Sequence, residues 1–485
     1  MPQACTRRDL GALAAACVLL RLPALLSAAW FDPDEAAIAV QARTLVDGGR
    51  LYVDMADRKP PIPPFIYAAW FELSGSTDPR GPRLVASLLL ALAAIVLTRE
   101  VCRTHGRRVA LWTGALYVVS CFAFTPHDGA AANYTHFAVP LATLAILACR
   151  RGGWHTLLGG VLLGLAILSR QSWIFAVPAG AVSCWMSART PGALRFLSGL
   201  ATGIATAGLL APWSDYWFWN FESSPGFVFA SIDIRAALTA GLASVALFVA
   251  YHVAVVAGAT ARLRSTWRTH FDLWVWVATG IAAASAGFRF FGHYWMQIVP
   301  PLVLLAGPAV AEAVRPARRL AAATLGATAC LVVVSQCIPT TFRERRRPGP
   351  LAATIRACSE PSDRVFVWGS YPELLMAVDR PTAGGMVHSD FVTGRSGGRE
   401  ASTDSVTPGA QQLMMRNLTS HPPIVLVDTS GNRALGYAAF PMSSNDDLAM
   451  FVEDRGYTPV SADDGFTLWW AAGSPCAENP AASAP

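Results

Sequence analysis

The sequence predicts a polytopic α-helical membrane protein of about 11 transmembrane helices, with a small C-terminal extracytoplasmic α/β domain. Three observations lead there. Of the 485 residues, 53% are hydrophobic and only 14% are charged, where a soluble globular chain carries about 25%. Apolar segments approaching bilayer length recur from the N-terminus to residue 338. Arginines gather in short clusters between those segments, as the positive-inside rule expects. The net charge of +6 is therefore a topology signal and not a nucleic-acid surface.

In chain order the expected spans are 10–30, 84–97, 109–124, 130–149, 157–168, 173–186, 196–213, 236–259, 273–288, 294–314 and 320–338. Arg7 and Arg8 before the first span raise a signal peptide. Ala28, Ala29 and Trp30 make a poor cleavage site, so a retained helix is expected. Segments 157–168 and 173–186 are short enough to form a re-entrant pair, and 63–73 is placed on or partly in the outer leaflet. With the N-terminus inside, the inner loops hold sixteen arginines, and the short outer loops after the first hold only Arg170, Arg235 and Arg289. The long first loop and the C-terminal tail then face outward.

Residues 1–340 form the expected membrane domain and 341–485 the extracytoplasmic one. In the tail, 364–368, 424–427 and 466–470 read as strands, 351–357, 411–418 and 446–453 as helices, and 384–407 as a loop. The last residues, 478–485, read as disordered. No dinucleotide fingerprint, Walker loop or His-Glu-x-x-His motif occurs. Cys17, Cys121, Cys149, Cys184 and Cys330 lie in or beside apolar segments and read as packing residues. An oxidised tail should pair Cys358 with Cys476, the alternatives being a bond through Cys337 or three unpaired thiols.

Chemistry points to the first loop. Lys59 is the only lysine among 38 basic Lys and Arg residues. It stands in a proline-stiffened stretch, and its compact ammonium suits a phosphate in a tight site. The bland alternative is a lysine that escaped a compositional bias. Asp32, Pro33, Asp34 and Glu35 read as a helix start with acids at the positive dipole end, a placement that also suits a general base. Asp128 follows His127 in the next outer loop, as a helix cap or a second acid. Arg170 ends a short span. Arg289 and His293 are four apart and would share a helix face, with Tyr294 next, either clamping a phosphate or anchoring the interface. The aromatic run 213–219 reads as an interfacial belt more readily than as a sugar platform.

Taken in order, these pieces resemble the GT-C superfamily of membrane glycosyltransferases, especially the branch of protein O-mannosyltransferases and lipid A aminoarabinose transferases. The carriers are Asp34-Glu35 after the first span, Lys59-Pro60-Pro61, the Gly164-to-Gln171 stretch, and Arg289 with His293-Tyr294 before Pro300-Pro301, over roughly residues 10–310. The resemblance implies inverting transfer of a sugar from a polyprenyl-monophosphate donor to a cell-envelope glycan, lipid or protein hydroxyl, on the outer membrane face. It implies Asp34 as base, with Glu35 beside it and Asp128 near a second acid. It implies Lys59 on the donor phosphate, with Arg170 standing where relatives often have lysine. Some relatives bind a divalent metal cation near the first-loop acids; no close metal triad is evident here, which leaves metal dependence open. A flippase for a lipid-linked sugar, a polymerase or ligase using a diphosphate-linked glycan, and a non-catalytic relative whose tail binds cell-wall glycan are the rival readings.

Overall fold

The computed structural model describes residues 4–223, 226, 228, 232–338, 348–395 and 401–478. Apolar helices dominate up to residue 338 and a small mixed sheet organises the rest. Among the described residues five helical stretches are long and apolar enough to cross a bilayer: Arg80–His105, Gln171–Leu210, Ile234–Tyr251, Gly292–Glu312 and Arg315–Cys337. His155–Ser169 and Phe271–Ser285 are shorter apolar helices.

Several expected spans are interrupted, each for a local reason. Segment 10–30 is two helices, Arg7–Leu19 and Leu22–Leu26. Pro23 lacks the N–H that would continue the ladder and its ring crowds the preceding turn. Segments 173–186 and 196–213 are largely two arms of one helix, Val177–Ala205, bent at Arg189 (φ 54°, ψ −154°). Segment 236–259 breaks at His252.

The short helix His155–Ser169 is held by backbone contact. A Cβ on Gly160 would lie 2.1 Å from the Phe196 carbonyl oxygen, and one on Gly203 would lie 2.5 Å from that of Val161. Gly160 and Gly164 on one helix thus face Gly199 and Gly203 on the other. These are paired small-xxx-small spacings that let membrane helices touch without side chains between them.

The tail sheet has the order β1 (Val365–Trp368), β2 (Val425–Asp428), β4 (Thr467–Trp470), β3 (Thr458–Ser461). β1 and β2 are parallel, with Val365 opposite Val425; the other pairings are antiparallel. Alternation separates two cores. Val365, Val367, Val425 and Val427 pack with Ile355 and Leu374, and also with Ile38 and Val40 of the Pro33–Val46 helix. Phe366, Trp368 and Leu426 pack with Met414, Leu448 and Phe451, and with Leu51 and Tyr52. The first loop is therefore wedged into both cores of the tail. Cys358 and Cys476 form a disulfide across 118 residues; in the loop-entropy model such a closure is worth up to about 4–5 kcal/mol. Cys337 is free and exposed. The expected boundary at residue 340 and the terminal residues 479–485 lie outside the described residues, as do 396–400 of the expected loop.

Candidate active site

The site is built where the first loop meets the helix bundle. Asp32 caps the Pro33–Val46 helix by accepting from the Asp34 N–H at 2.9 Å. That fixes Asp34 in the first turn, where the helix dipole favours a negative charge. Lys59 donates to Asp34 Oδ1, with roughly a third of each side chain exposed (30% and 32%). The ammonium also lies 5.0 Å from the centre of the Tyr134 ring.

The backbone around Lys59 is pinned. Tyr52 Oη donates to the Lys59 carbonyl at 2.7 Å, and Gln171 donates to the Arg58 carbonyl at 2.5 Å. Gln41 donates to Asp57 Oδ2 at 2.6 Å. Arg58, buried, donates to the Ser405 carbonyl at 3.0 Å and lies 4.6 Å over the Phe391 ring. The tail thereby grips the residue before the lysine. Burial lowers the Arg58 pKa to about 10, still charged at neutral pH.

The two neighbouring acids diverge in charge state. Burial, then the charge of Asp34, pushes Asp32 well above the usual carboxylate range. Burial also works against ionised Asp34, but the Lys59 ammonium outweighs it and holds the carboxyl below its ordinary value. The two carboxyls are thus pushed in opposite directions, Asp32 toward its protonated form and Asp34 toward the carboxylate, the division that acid–base chemistry needs. His293 and Arg170 add positive potential at Asp34.

Behind this pair, Asp128 Oδ1 accepts from the His293 backbone N–H at 3.0 Å and from its Nδ1 at 2.5 Å. Thr125 donates to Asp128 Oδ2 at 2.5 Å. Burial raises the Asp128 pKa, but the His293 hydrogen bond prevails and keeps it well below the carboxylate range. Asp128 is occupied orienting His293 and fixing Nδ1 as the protonated nitrogen. Arg170 donates to Thr135 Oγ1 at 2.5 Å and lies 4.4 Å over the Tyr294 ring.

Two expectations are corrected. Glu35, expected beside Asp34 in the catalytic set, is fully buried and turned away from it. Arg83 binds it through two parallel hydrogen bonds of 2.7 and 2.6 Å, and the Ala132 N–H donates to it at 2.8 Å. Periodicity alone separates them: adjacent helical residues point about 100° apart. Arg289 and His293 do not share a helix face. Phe288 and Phe290 have φ of 54° and 50°, and helix resumes only at Gly292. Bulky residues with positive φ are costly and persist only where surroundings enforce them. Arg289 exerts its charge on Arg58, in the same part of the site.

Reading the sequence missed Arg21 and Arg83, both fully buried. Arg21 donates to the Ala131 carbonyl at 3.0 Å and so holds the segment leading to Asn133. Arg83 sits just before an expected span, where an arginine reads as topology. Gln41 and Asn133 carry no sequence signal beyond their polarity. Among the described residues no three His, Cys, Asp or Glu side chains converge as a metal-ligand set.

A family model described as dolichyl-phosphate-mannose-protein mannosyltransferase matches residues 58–219. The lipid A galacturonosyltransferase RgtD of Rhizobium johnstonii is 28% identical over 174 residues, 34% of either chain. The match thus spans about a third of that relative's length. The structure of ArnT from Cupriavidus metallidurans bound to undecaprenyl phosphate superposes with a TM-score of 0.63 at 13% identity, over 95% of this chain and 97% of that one. The Archaeoglobus fulgidus oligosaccharyltransferase in its apo form gives 0.53 at 11% identity, over 96% of this chain and 74% of that one. With the family segment starting at Arg58 and the ArnT match running nearly end to end, this chain shares its fold with ArnT and, more distantly, with the archaeal oligosaccharyltransferase.

Proposed function

We propose that the protein is an inverting glycosyltransferase that moves a sugar from a polyprenyl-monophosphate donor to a cell-envelope hydroxyl at the outer membrane face. The observation that carries the reading is the Asp34–Lys59 pair, a carboxylate joined to the chain's one lysine ammonium, with each side chain partly exposed. The donor phosphate becomes Lys59's partner, and Asp34 is released to take the acceptor proton. The acceptor oxygen attacks the anomeric carbon from the face opposite the phosphate. The C–O bond to phosphate breaks with its electron pair on the phosphate. Lys59, Arg170 and Arg289 stabilise that growing charge, while Asp128 fixes the orientation of His293. Tyr294 shelves Arg170.

A divalent cation held by Asp34 would share that carboxylate with Lys59, and no step here passes through a metal. Transport is disfavoured because the ionisable cluster sits at one end of the bundle, where alternating access would favour the bilayer midplane.

Lys59→Arg is expected to weaken donor use severalfold, because the larger, forked guanidinium does not fit the space the ammonium fills between Asp34 and the Tyr134 ring and does not sit on a phosphate as a point charge. The check is sugar release and transfer from a synthetic undecaprenyl-monophosphate sugar by the purified protein. Wild-type donor kinetics in the variant, or no turnover of any monophosphate donor by the wild type, would reject the assignment.

The proposal includes the orientation, with the N-terminus cytoplasmic and residues 348–478 outside, and the shorter helices completing the bundle as spans. Thr104→Cys should resist an impermeant thiol reagent added to intact cells and Ser362→Cys should react, each in a background lacking the exposed native thiols Cys330 and Cys337. The reverse pattern would overturn the orientation and the donor class together.

A further inference from the structure

A second polar site lies away from the reacting pair. The end of the Pro33–Val46 helix, the strap that follows it, and the edge of the tail sheet enclose a cleft of about 530 Å³. That is the size range of small-molecule pockets, roughly 300–1,000 Å³. Its polar lining includes Arg43, Asp47, Asp54, Arg364, Asn417 and His421. We propose that this cleft binds a hydroxyl-rich glycan segment of the acceptor, remote from the hydroxyl that reacts.

The chemistry selects the ligand class. Two arginines are balanced by two aspartates, so the cleft has no net field to gather a polyanion or a polycation. None of its described lining residues is Phe, Tyr or Trp, and the small apolar surface there, such as Pro361 and Pro381, gives no pocket for an acyl chain. What the walls offer is donors and acceptors side by side. Arg43 is committed to Asp379 at 3.1 Å and lies 3.9 Å from Asp47; Arg364 donates to the Thr382 carbonyl at 3.1 Å. A guanidinium has five N–H donors and a carboxylate about four acceptor positions, so each keeps capacity after these bonds. Hydroxyl groups both donate and accept, and a vicinal pair matches a bidentate guanidinium or carboxylate. Gly48, Gly384 and Gly385, with φ of 84°, 83° and 71°, turn the chain where a side chain would be strained, leaving backbone groups at the wall.

Position supplies the link to the reaction. Arg43 follows Asp34 by nine residues in one helix, roughly 14 Å at 1.5 Å per residue. Asp54 lies in the same strap as Lys59, whose register is fixed by Tyr52 and Asp57. A glycan held here touches both elements of the catalytic pair without occupying it. Binding energy from such a remote segment serves to orient the reacting hydroxyl.

The inference rests on the transferase reading for its place in the reaction, but its test uses no donor, so the two fail separately. The full-length protein in nanodiscs is applied to an array of neutral, acidic and phosphorylated bacterial oligosaccharides. Saturable binding to hydroxyl-rich neutral glycans is expected. It should weaken about tenfold or more in Arg364→Ala and in His421→Ala, and persist in Asp34→Asn. Melting temperatures of the variants are compared with wild type, and Thr382→Trp, which fills the cleft without removing a charge, gives a second route to the same loss. Absence of glycan binding by the wild type, binding confined to acidic or phosphorylated glycans, or binding unchanged in folded cleft variants would each overturn the proposal.

Discussion

Asp34→Asn should lower sugar transfer by about 10²–10⁴-fold, the range typical for removal of a general base, while the protein still inserts and folds. The amide keeps the shape and the first-turn position. The cap survives because Asp32, not Asp34, receives the backbone N–H. A negative charge in the first helical turn contributes only about 0.3–1 kcal/mol, so stability shifts little. What disappears is the carboxylate proposed to take the acceptor proton. The pH profile follows from the same pair. Lys59 holds Asp34 below its ordinary range in the free enzyme, so the base is ionised at neutral pH and kcat/KM fails only as pH falls through that depressed value. The acid limb should vanish in the variant's residual rate. Steady-state transfer and thermal unfolding on the same preparations check both points; full specific activity in folded Asp34→Asn would return the residue to a structural role.

How much of this was legible in sequence depends on whether a residue's role is set locally. Asp32, Pro33 and Asp34 announce a helix start through cap and dipole rules that act within one turn, and the helix begins at Pro33. In the tail, three strands and three helices fall within two residues of their expected bounds, because alternation and turn residues are also local signals. β3, an edge strand with polar and exposed residues, has no such pattern and was missed. The Asp128–His293 contact joins residues 165 apart in the chain, and no spacing rule reaches across that distance. Arg289 was misplaced because a four-residue spacing presumes a helix that the backbone at Phe288 and Phe290 does not adopt. The wedging of the first loop into both tail cores is a packing outcome, invisible to composition and periodicity alike.

Glu35→Ala should cost about 3–5 kcal/mol of stability, the usual penalty for stripping one partner from a buried ion pair. Both side chains of the Glu35–Arg83 pair are fully buried. Arg83 also donates to the carbonyls of Ala24, Ser27 and Ala29, at 2.8, 2.7 and 2.7 Å, so it cannot turn outward without unmaking the break after the first helix. Its charge would be left with dipoles alone. Glu35 in turn accepts the Ala132 N–H, tying the first loop to the segment that carries Asn133 and the next helix. Loss of the carboxylate therefore loosens two walls of the site at once. Replacing both partners by apolar residues, as in Glu35→Leu with Arg83→Met, should recover part of the loss, because the desolvation cost of the pair disappears with it. Reversible unfolding in SDS of wild type, both single variants and the double variant gives the coupling directly. A catalytic Glu35 would give the opposite signature: wild-type stability with transfer abolished, and no recovery in the double variant.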